Sequence, residues 1–296
     1  MRPDRPVRVR AAFALALALA AAALAGCASS PSSMGPRLSP ARITQVVSSP
    51  DRSIADREND LRRKPEQMLN FIGVRPGMQV LDLSTGGGYT TELLARAVGP
   101  SGVVYAQARP RPADDAAVRP AQAEGAGGTP PQIDPAGAQT ARPRTSQDAI
   151  AERVRHLQEA GILAAPIIFE SRPFEDPLPP ELAEAKFDLV TIMFNYHDLG
   201  WLAVDRARMN AAVFRALKPG GLFVVADHAG RAGTGITESG TLHRVEESLV
   251  RSEIQAAGFQ LQDEGFFLRN PADPRDRNTP NPPQPKDEFV LKFVKP

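Results

Sequence analysis

Between residues 80 and 90 the chain reads Val80-Leu81-Asp82-Leu83-Ser84-Thr85-Gly86-Gly87-Gly88-Tyr89-Thr90. An apolar stretch runs into three glycines, and an amphipathic segment, Tyr89–Val98, follows. Glycine lets a ligand approach the backbone, and a helix N-terminus offers unpaired N–H groups. The pattern predicts a strand, a Gly-rich turn and a helix, with a ligand at the turn. The alternative is a tight strand-to-helix turn that binds nothing.

A dinucleotide-binding fingerprint requires a third glycine three residues after Gly88, where the chain has Thr91. This departure disfavours a nicotinamide-dependent dehydrogenase.

Short apolar strands alternate with helical segments on both sides of this turn. The predicted strands are Gln79–Leu83, Val103–Ala106, Pro166–Phe169, Phe187–Met193, Leu222–Ala226, Phe259–Leu268 and Glu288–Val294. The predicted helices are Ile54–Arg63, Glu66–Phe71, Tyr89–Val98, Ala149–Ala160, Val204–Leu217 and Leu242–Ala257. This alternation predicts a single α/β domain over residues 53–296, with a Rossmann-like, doubly wound, seven-stranded sheet. No helix separates the last two strands, so the last strand is expected to be antiparallel.

One segment interrupts the alternation. Residues 109–147 contain seven prolines and only two large aliphatic residues, Val118 and Ile133. Such a segment cannot bury enough apolar surface to offset the entropy of ordering it. It is predicted to be a disordered surface insertion.

The first residues have the pattern of a targeting segment. Four arginines lie within Met1–Arg10, and the apolar run Ala11–Ala25 follows. The run is shorter than the roughly 20 residues of a membrane-spanning helix, so it indicates a secretory signal. It ends in Leu24-Ala25-Gly26-Cys27, which resembles the bacterial lipoprotein box. A plain signal peptide with an incidental cysteine is the alternative.

The lipoprotein resemblance implies a signal peptide over residues 1–26 and a lipid on Cys27. Residues 27–52 are then expected to be a tether, rich in Ser and Pro. The expected location is the cell envelope, facing the periplasm and on the outer membrane, with membrane contact through the N-terminal lipid only.

Composition excludes several classes. The 296 residues carry a net charge of +1, which gives no reason to expect a nucleic-acid partner. A single cysteine excludes an intramolecular disulfide framework and a Cys-rich metal site.

An aspartate at the strand end before the glycines is typical of class I S-adenosylmethionine (SAM) methyltransferases, which the chain resembles from about Asp56 to Pro296. It looks closest to an uncharacterised bacterial group of predicted methyltransferases with secretory leaders. The matching stretches are Arg63-Lys64-Pro65, the Gly-rich turn, Asn195-Tyr196-His197-Asp198, Leu217–Gly221, Asp227-His228 and His243-Arg244.

The resemblance implies S-adenosyl-L-methionine as the cofactor and a small molecule as the methyl acceptor. The amino-acid part of this cofactor is expected to contact Asp82, Thr85, Gly86 and Gly88. The predicted cofactor site also includes Ser84, Gly87, Gln107 and Asn195. Two of these depart from the family pattern, because Ser84 replaces the first glycine of the turn and Gln107 lies where an acidic residue binds the ribose.

Histidine and aspartate residues follow two strands whose ends are expected to meet at one edge of the sheet. The predicted catalytic residues are His197, Asp198, Asp227, His228 and His243. Histidine can act as a base near neutral pH, so His197 is the first candidate for the catalytic base, and His228 and His243 are the next candidates. Asp198 or Asp227 would fix its tautomer.

Two alternatives stay open for these residues. They form hydrogen bonds to loop backbone only, or the histidines and aspartates bind a divalent ion, a role not included in the predicted site. For Arg244, the alternatives are that it binds an acidic acceptor or that it lies in a salt bridge.

The predicted function is methyl transfer to an unidentified acceptor. The alternative is a non-catalytic or repurposed periplasmic protein that binds another small molecule.

Overall fold

A computed structural model describes residues 35–110, 144–278 and 285–296, and Gly35–Pro296 form one compact unit. The strands are β1 Gln79–Leu83, β2 Val103–Ala108, β3 Ile167–Ser171, β4 Phe187–Met193, β5 Leu217–His228, β6 Gln260–Gly265 and β7 Glu288–Val294. They form one sheet in the order β3-β2-β1-β4-β5-β7-β6. β7 is antiparallel to both of its neighbours, and the other described pairs are parallel. The predicted doubly wound sheet is confirmed.

Helices cover both faces of the sheet. They are α1 Pro40–Val47, α2 Ile54–Arg63, α3 Pro65–Ile72, α4 Tyr89–Val98, α5 Ser146–Glu159, α6 Asp198–Trp201, α7 Arg206–Ala216 and α8 Glu247–Ala256. α1, α3 and α4 supply one apolar core, and α7 and α8 supply the other. Neighbouring β1 residues divide between the two cores, with Val80 in the first and Leu81 in the second. This is the pattern of a strand that is buried on both faces.

The tether prediction is wrong over part of its length. Ser39 caps α1 by accepting a hydrogen bond from the Arg42 backbone N–H. Ile43 and Val46 are buried on the inner side of this helix. The segment packs against α3 and α4, because two apolar residues spaced three apart give a short helix an inner face. The domain therefore begins before residue 53.

Two of the helix boundaries that differ from the prediction lie next to the sheet. α7 ends at Ala216 and Leu217 begins β5, because the Gly220 N–H donates to the Lys295 carbonyl and extends the sheet. α8 begins at Glu247 rather than Leu242, because Val245 forms a bridge with Ala229 at the end of β5. The residues from Leu242 to Glu246 are thereby held against the carboxyl edge of the sheet.

Several predictions fall on other parts of the chain. The signal peptide and Cys27 lie outside the described residues, as do residues 111–143 of the predicted insertion. The last residues of that insertion, however, start α5, which Thr145 caps together with Asp148. No helix among the described residues has the length and apolar character needed to cross a membrane.

Candidate functional site

The Gly-rich turn joins β1 to α4 through left-handed backbone. The φ angles of Ser84, Gly86 and Gly88 are 57°, 53° and 80°. A Cβ at Gly88 would lie 2.7 Å from the Ile150 side chain, so this position also lacks room for one. Ser84 adopts a conformation that glycine takes without strain. The first departure from the family pattern therefore changes the residue and keeps the left-handed conformation.

Two neighbouring strands hold Ser84 in place. Its backbone N–H donates to Gln107 Oε1 on β2 at 3.1 Å, and its carbonyl accepts from Asn195 Nδ2 after β4 at 3.1 Å. Gln107 Nε2 also donates to the Arg172 carbonyl at 2.7 Å. Gln107 is fully buried, so its polar atoms are engaged within the protein. The prediction that Gln107 contacts the cofactor ribose has no support in this arrangement, because the side chain secures the turn instead.

Asp82 lies at the base of the turn with two hydroxyl partners. Thr91 Oγ1 donates to one carboxylate oxygen at 2.6 Å, and Thr191 Oγ1 donates to the other at 2.7 Å. Burial raises the Asp82 pKa to about 6, against the effect of these two hydrogen bonds and of Arg63. At neutral pH the carboxylate is therefore ionised, and it is well placed to interact with a cation.

A pocket opens beside this carboxylate and the turn. Its lining is Arg63, Asp82, Ser84, Thr85, Tyr89, Thr90, Met193 and Asn195. An adjoining apolar pocket shares Arg63 and Tyr89 with it and continues to Met68, Leu69 and Phe194. A polar end beside an apolar cavity is the usual form of a small-molecule site.

Arg63 lines both pockets. Its guanidinium carbon lies 4.5 Å from the centre of the Phe194 ring and 5.0 Å from that of Tyr89. Burial, with the nearby Arg62 charge, lowers the Arg63 pKa to about 10. Arg63-Lys64-Pro65 is one of the stretches that match the family pattern, but the sequence analysis did not predict that Arg63 lines a binding pocket.

The predicted catalytic residues are brought together and form the His/Asp cluster: His197, Asp198, Asp227, His228 and His243. His197 lies at its centre with Nδ1 2.7 Å from Asp227 Oδ1 and Nε2 3.2 Å from Asp198 Oδ1. The His197 backbone N–H also donates to Asp227 Oδ2 at 2.7 Å. These contacts fix the orientation of the imidazole ring between two carboxylates.

This environment argues against the predicted role of His197 as a base. Burial opposes the charged form of His197, but Asp227 and Asp198 outweigh it and raise the pKa to about 10. The same contacts hold the Asp198 pKa well below its usual range, although burial acts in the opposite direction. A histidine that already carries two protons at neutral pH has no lone pair with which to accept another.

The other two histidines of the cluster flank His197. The His228 and His243 rings have their centres 5.5 and 5.6 Å from that of His197. His228 Nδ1 lies 3.0 Å from Glu288 Oε1. His243 Nδ1 lies 3.7 Å from Asp198 Oδ1, and the His243 backbone is left-handed, with a φ of 51°.

Glu288 is a member of this environment that the sequence analysis missed. It is paired with His228 in the β5–β7 register, and it forms an ion pair with Arg62 at 2.8 Å. His228 and Arg62 lower the Glu288 pKa, although burial opposes this. The only sequence signal is the antiparallel pairing of the two strands, which brings residue 288 beside residue 228.

Arg244 is fully buried and forms an ion pair with Asp273 at 2.9 Å, so the salt-bridge alternative for this residue is confirmed. His156 lies outside the cluster: its side chain is exposed, and its Nε2 lies 2.9 Å from the Asp51 carbonyl oxygen.

Comparisons with known proteins agree with this geometry. A family model for protein-L-isoaspartate (D-aspartate) O-methyltransferase matches residues 65–118, which include the Gly-rich turn. A search of curated proteins finds no match.

Solved structures resemble the whole domain. A SAM-dependent methyltransferase from Aquifex aeolicus superposes with a TM-score of 0.50 at 16% identity, covering 88% of this chain and all of that one. A putative methyltransferase from Bacillus halodurans gives a TM-score of 0.47 at 15% identity, with 78% and 97% of the two chains covered. The chain has the class I methyltransferase fold, and the family model that matches around its Gly-rich turn describes a methyltransferase.

Proposed function

We propose that the protein is a methyltransferase that binds S-adenosyl-L-methionine at the Gly-rich turn and transfers its methyl group to a small-molecule acceptor. The observation that carries this proposal is the left-handed turn at Ser84, Gly86 and Gly88 beside the buried Asp82. The cofactor supplies an electrophilic methyl group on a positively charged sulfur.

The residues of the pocket fit the polar groups of such a cofactor. The Asp82 carboxylate attracts a cationic group, and the first backbone N–H groups of α4, which have no partner within the helix, can donate to a carboxylate. The apolar side chains around Met68 and Phe194 suit a planar base. The His/Asp cluster lies on the same edge of the sheet, but its members line neither of these two pockets, so this reading gives them no contact with the acceptor.

Binding of S-adenosylhomocysteine, the demethylated product, tests the proposal. Calorimetric titration into the purified protein is expected to give saturable binding at micromolar ligand. Asp82→Asn should weaken it at least tenfold because the charge is lost. Asp188→Asn is the matched control. Asp188 is also a buried aspartate, but it lies at the start of β4, away from the carboxyl edge of the sheet, and it accepts a hydrogen bond from Lys218.

A second candidate is a domain with this fold that binds another small molecule without catalysis. Gln107 favours it, because the end of β2 offers no free carboxylate to a ribose. Absence of binding at millimolar S-adenosylhomocysteine, in a protein with native circular dichroism, would reject the methyltransferase and leave this candidate.

We also propose that Cys27 carries a lipid that anchors the protein on the periplasmic side of the envelope, on the outer membrane. The charged start, the apolar run and the sole cysteine support this proposal. Several acyl chains hold a protein firmly where one chain binds only marginally. In Cys27→Ser the protein is expected to be released when the membrane fraction is washed. If this variant stayed on the washed membranes, the lipid anchor would be refuted.

A further inference from the structure

One part of the His/Asp cluster has the composition of a metal site. His197, Asp198 and His243 each offer a ligand atom, and these atoms lie within 4.8 Å of one another. Two imidazoles and one carboxylate form a donor set that suits Zn²⁺, Fe²⁺ and related ions and does not suit Mg²⁺.

The distances between donor atoms are close to those of a bound ion. His197 Nε2 and His243 Nδ1 lie 3.2 and 3.7 Å from Asp198 Oδ1. Bonds of about 2.0–2.1 Å in a tetrahedral zinc site place neighbouring ligand atoms roughly 3.3 Å apart. The three ligand atoms, which lie within 4.8 Å of one another, would move to this spacing around a bound ion.

The orientation of His197 provides further support. Its Nδ1 faces Asp227 at 2.7 Å, which leaves Nε2 directed at Asp198. A histidine that binds a metal through one ring nitrogen almost always donates the other N–H to a carboxylate or carbonyl. Asp227 has this second role, because its other oxygen is fixed by the His197 backbone N–H.

His243 provides the independent observation. Its side chain is 6% exposed, and Nδ1 makes no hydrogen bond among the described residues, although it lies near Asp198. A buried polar atom without such a bond has lost its hydration without compensation, which destabilises the folded protein. The left-handed backbone at His243 adds strain at the same position. An ion beside Asp198 would satisfy this nitrogen.

We propose that His197, Asp198 and His243 bind one divalent transition-metal ion of the zinc class, which displaces the proton from His197 Nε2 into solvent, while Asp227 holds the proton on Nδ1 and orients the ring. The three ligands come from the start of α6 and from the segment before α8, so the ion would join these two parts of the carboxyl edge. Three protein ligands leave a coordination position open. The site is separate from the Gly-rich turn, and the proposal does not depend on methyl transfer.

The test uses the full chain, purified without a polyhistidine tag and stripped with a chelator. Calorimetric titration with Zn²⁺ is expected to give one site per chain at micromolar concentration or tighter, and Mg²⁺ is expected to give no binding at the same concentrations. His243→Ala should weaken zinc binding at least 100-fold, and Asp227→Asn should weaken it about 10- to 100-fold.

His156→Ala is the matched control, because His156 is exposed and far along the chain from the cluster, beside Asp51. It should bind zinc as the unaltered protein does. X-ray absorption of the zinc-loaded protein should show two imidazole nitrogens, and this readout needs no variant.

Two outcomes would overturn the proposal. One is a protein with native circular dichroism that shows no saturable binding at 100-fold higher zinc concentration than expected. The other is unchanged affinity in His243→Ala. The S-adenosylhomocysteine titration is made separately on the metal-stripped protein. The two titrations therefore test cofactor binding and metal binding independently, and one proposal can fail while the other holds.

Discussion

The Ser84 backbone N–H donates to Gln107 Oε1 at 3.1 Å, which ties the Gly-rich turn to the neighbouring strand. Gln107 occupies the position where the family pattern has an acidic residue. Its amide donates in the other direction to the Arg172 carbonyl. A carboxylate could accept from Ser84, but it could not donate to Arg172. The amide is thus matched to both of its neighbours.

Gln107→Glu should therefore destabilise the protein by about 2–3 kcal/mol, because it buries a charge facing a carbonyl oxygen. Urea denaturation measures the change, and Gln260→Glu, on the exposed side of β6, is a control expected to alter stability by less than about 0.5 kcal/mol. We expect no gain in affinity for S-adenosylhomocysteine. A tighter complex would mean that residue 107 reaches the ribose.

Asp82 should make stability depend on pH. Its pKa is about 6 in the folded protein and close to 3.9 when unfolded, so the unfolded state releases its proton first. The stability associated with the protonated form is present below about pH 4 and is lost as the pH rises through 6. Two pKa units correspond to about 3 kcal/mol.

The measurement compares the unaltered protein with Asp82→Asn in urea at pH values between about 4.5 and 7.5. The free energy of unfolding of the unaltered protein should fall relative to the variant as the pH rises. A difference that stays constant over this range would show that Asp82 keeps its ordinary pKa in the folded chain.

Much of the sheet could be predicted because its signals are local. β1, β4 and β7 have the predicted boundaries, since apolar runs between turn residues identify strands. The start of α8 could not be predicted, because the bridge between Ala229 and Val245 forms across the fold. That bridge holds the segment before α8, which carries His243.

The same distinction applies to the site. Proximity of His197, Asp227 and His228 follows from the rule that parallel strands end at one edge. The state of His197 does not follow, because it depends on which atoms of Asp198 and Asp227 face its ring nitrogens. Sequence spacing identifies the residues and leaves their protonation undetermined.

Arg244 gives a prediction about stability rather than binding. Asp273→Ala removes the carboxylate from a fully buried guanidinium, which keeps hydrogen bonds to the Ala229 and Arg277 carbonyls. Loss of one partner of a buried pair costs about 3–5 kcal/mol, because the remaining charge stays buried. Thermal or urea denaturation should show this loss.

Glu159→Ala is the control for this variant, since Glu159 forms an exposed i,i+4 pair with Arg155 at 3.9 Å. Its effect should be below about 0.5 kcal/mol. Similar effects of the two substitutions would mean that the Arg244 region opens to water and that an anion-binding role deserves testing.

The α1 helix gives a test of where the folded domain begins. Ile43 is buried against α3 and α4, so Ile43→Ala leaves a cavity beneath the helix. Burial of this kind contributes about 2–4 kcal/mol for an isoleucine truncated to alanine. Thr44→Ala, on the exposed side of the same helix, should change stability by less than about 0.5 kcal/mol. If residues 40–47 were a tether, both substitutions would leave the free energy of unfolding unchanged. The difference in the free energy of unfolding between Ile43→Ala and Thr44→Ala therefore measures how much the packing of α1 stabilises the domain. This measurement does not depend on the function of the residues that precede α1.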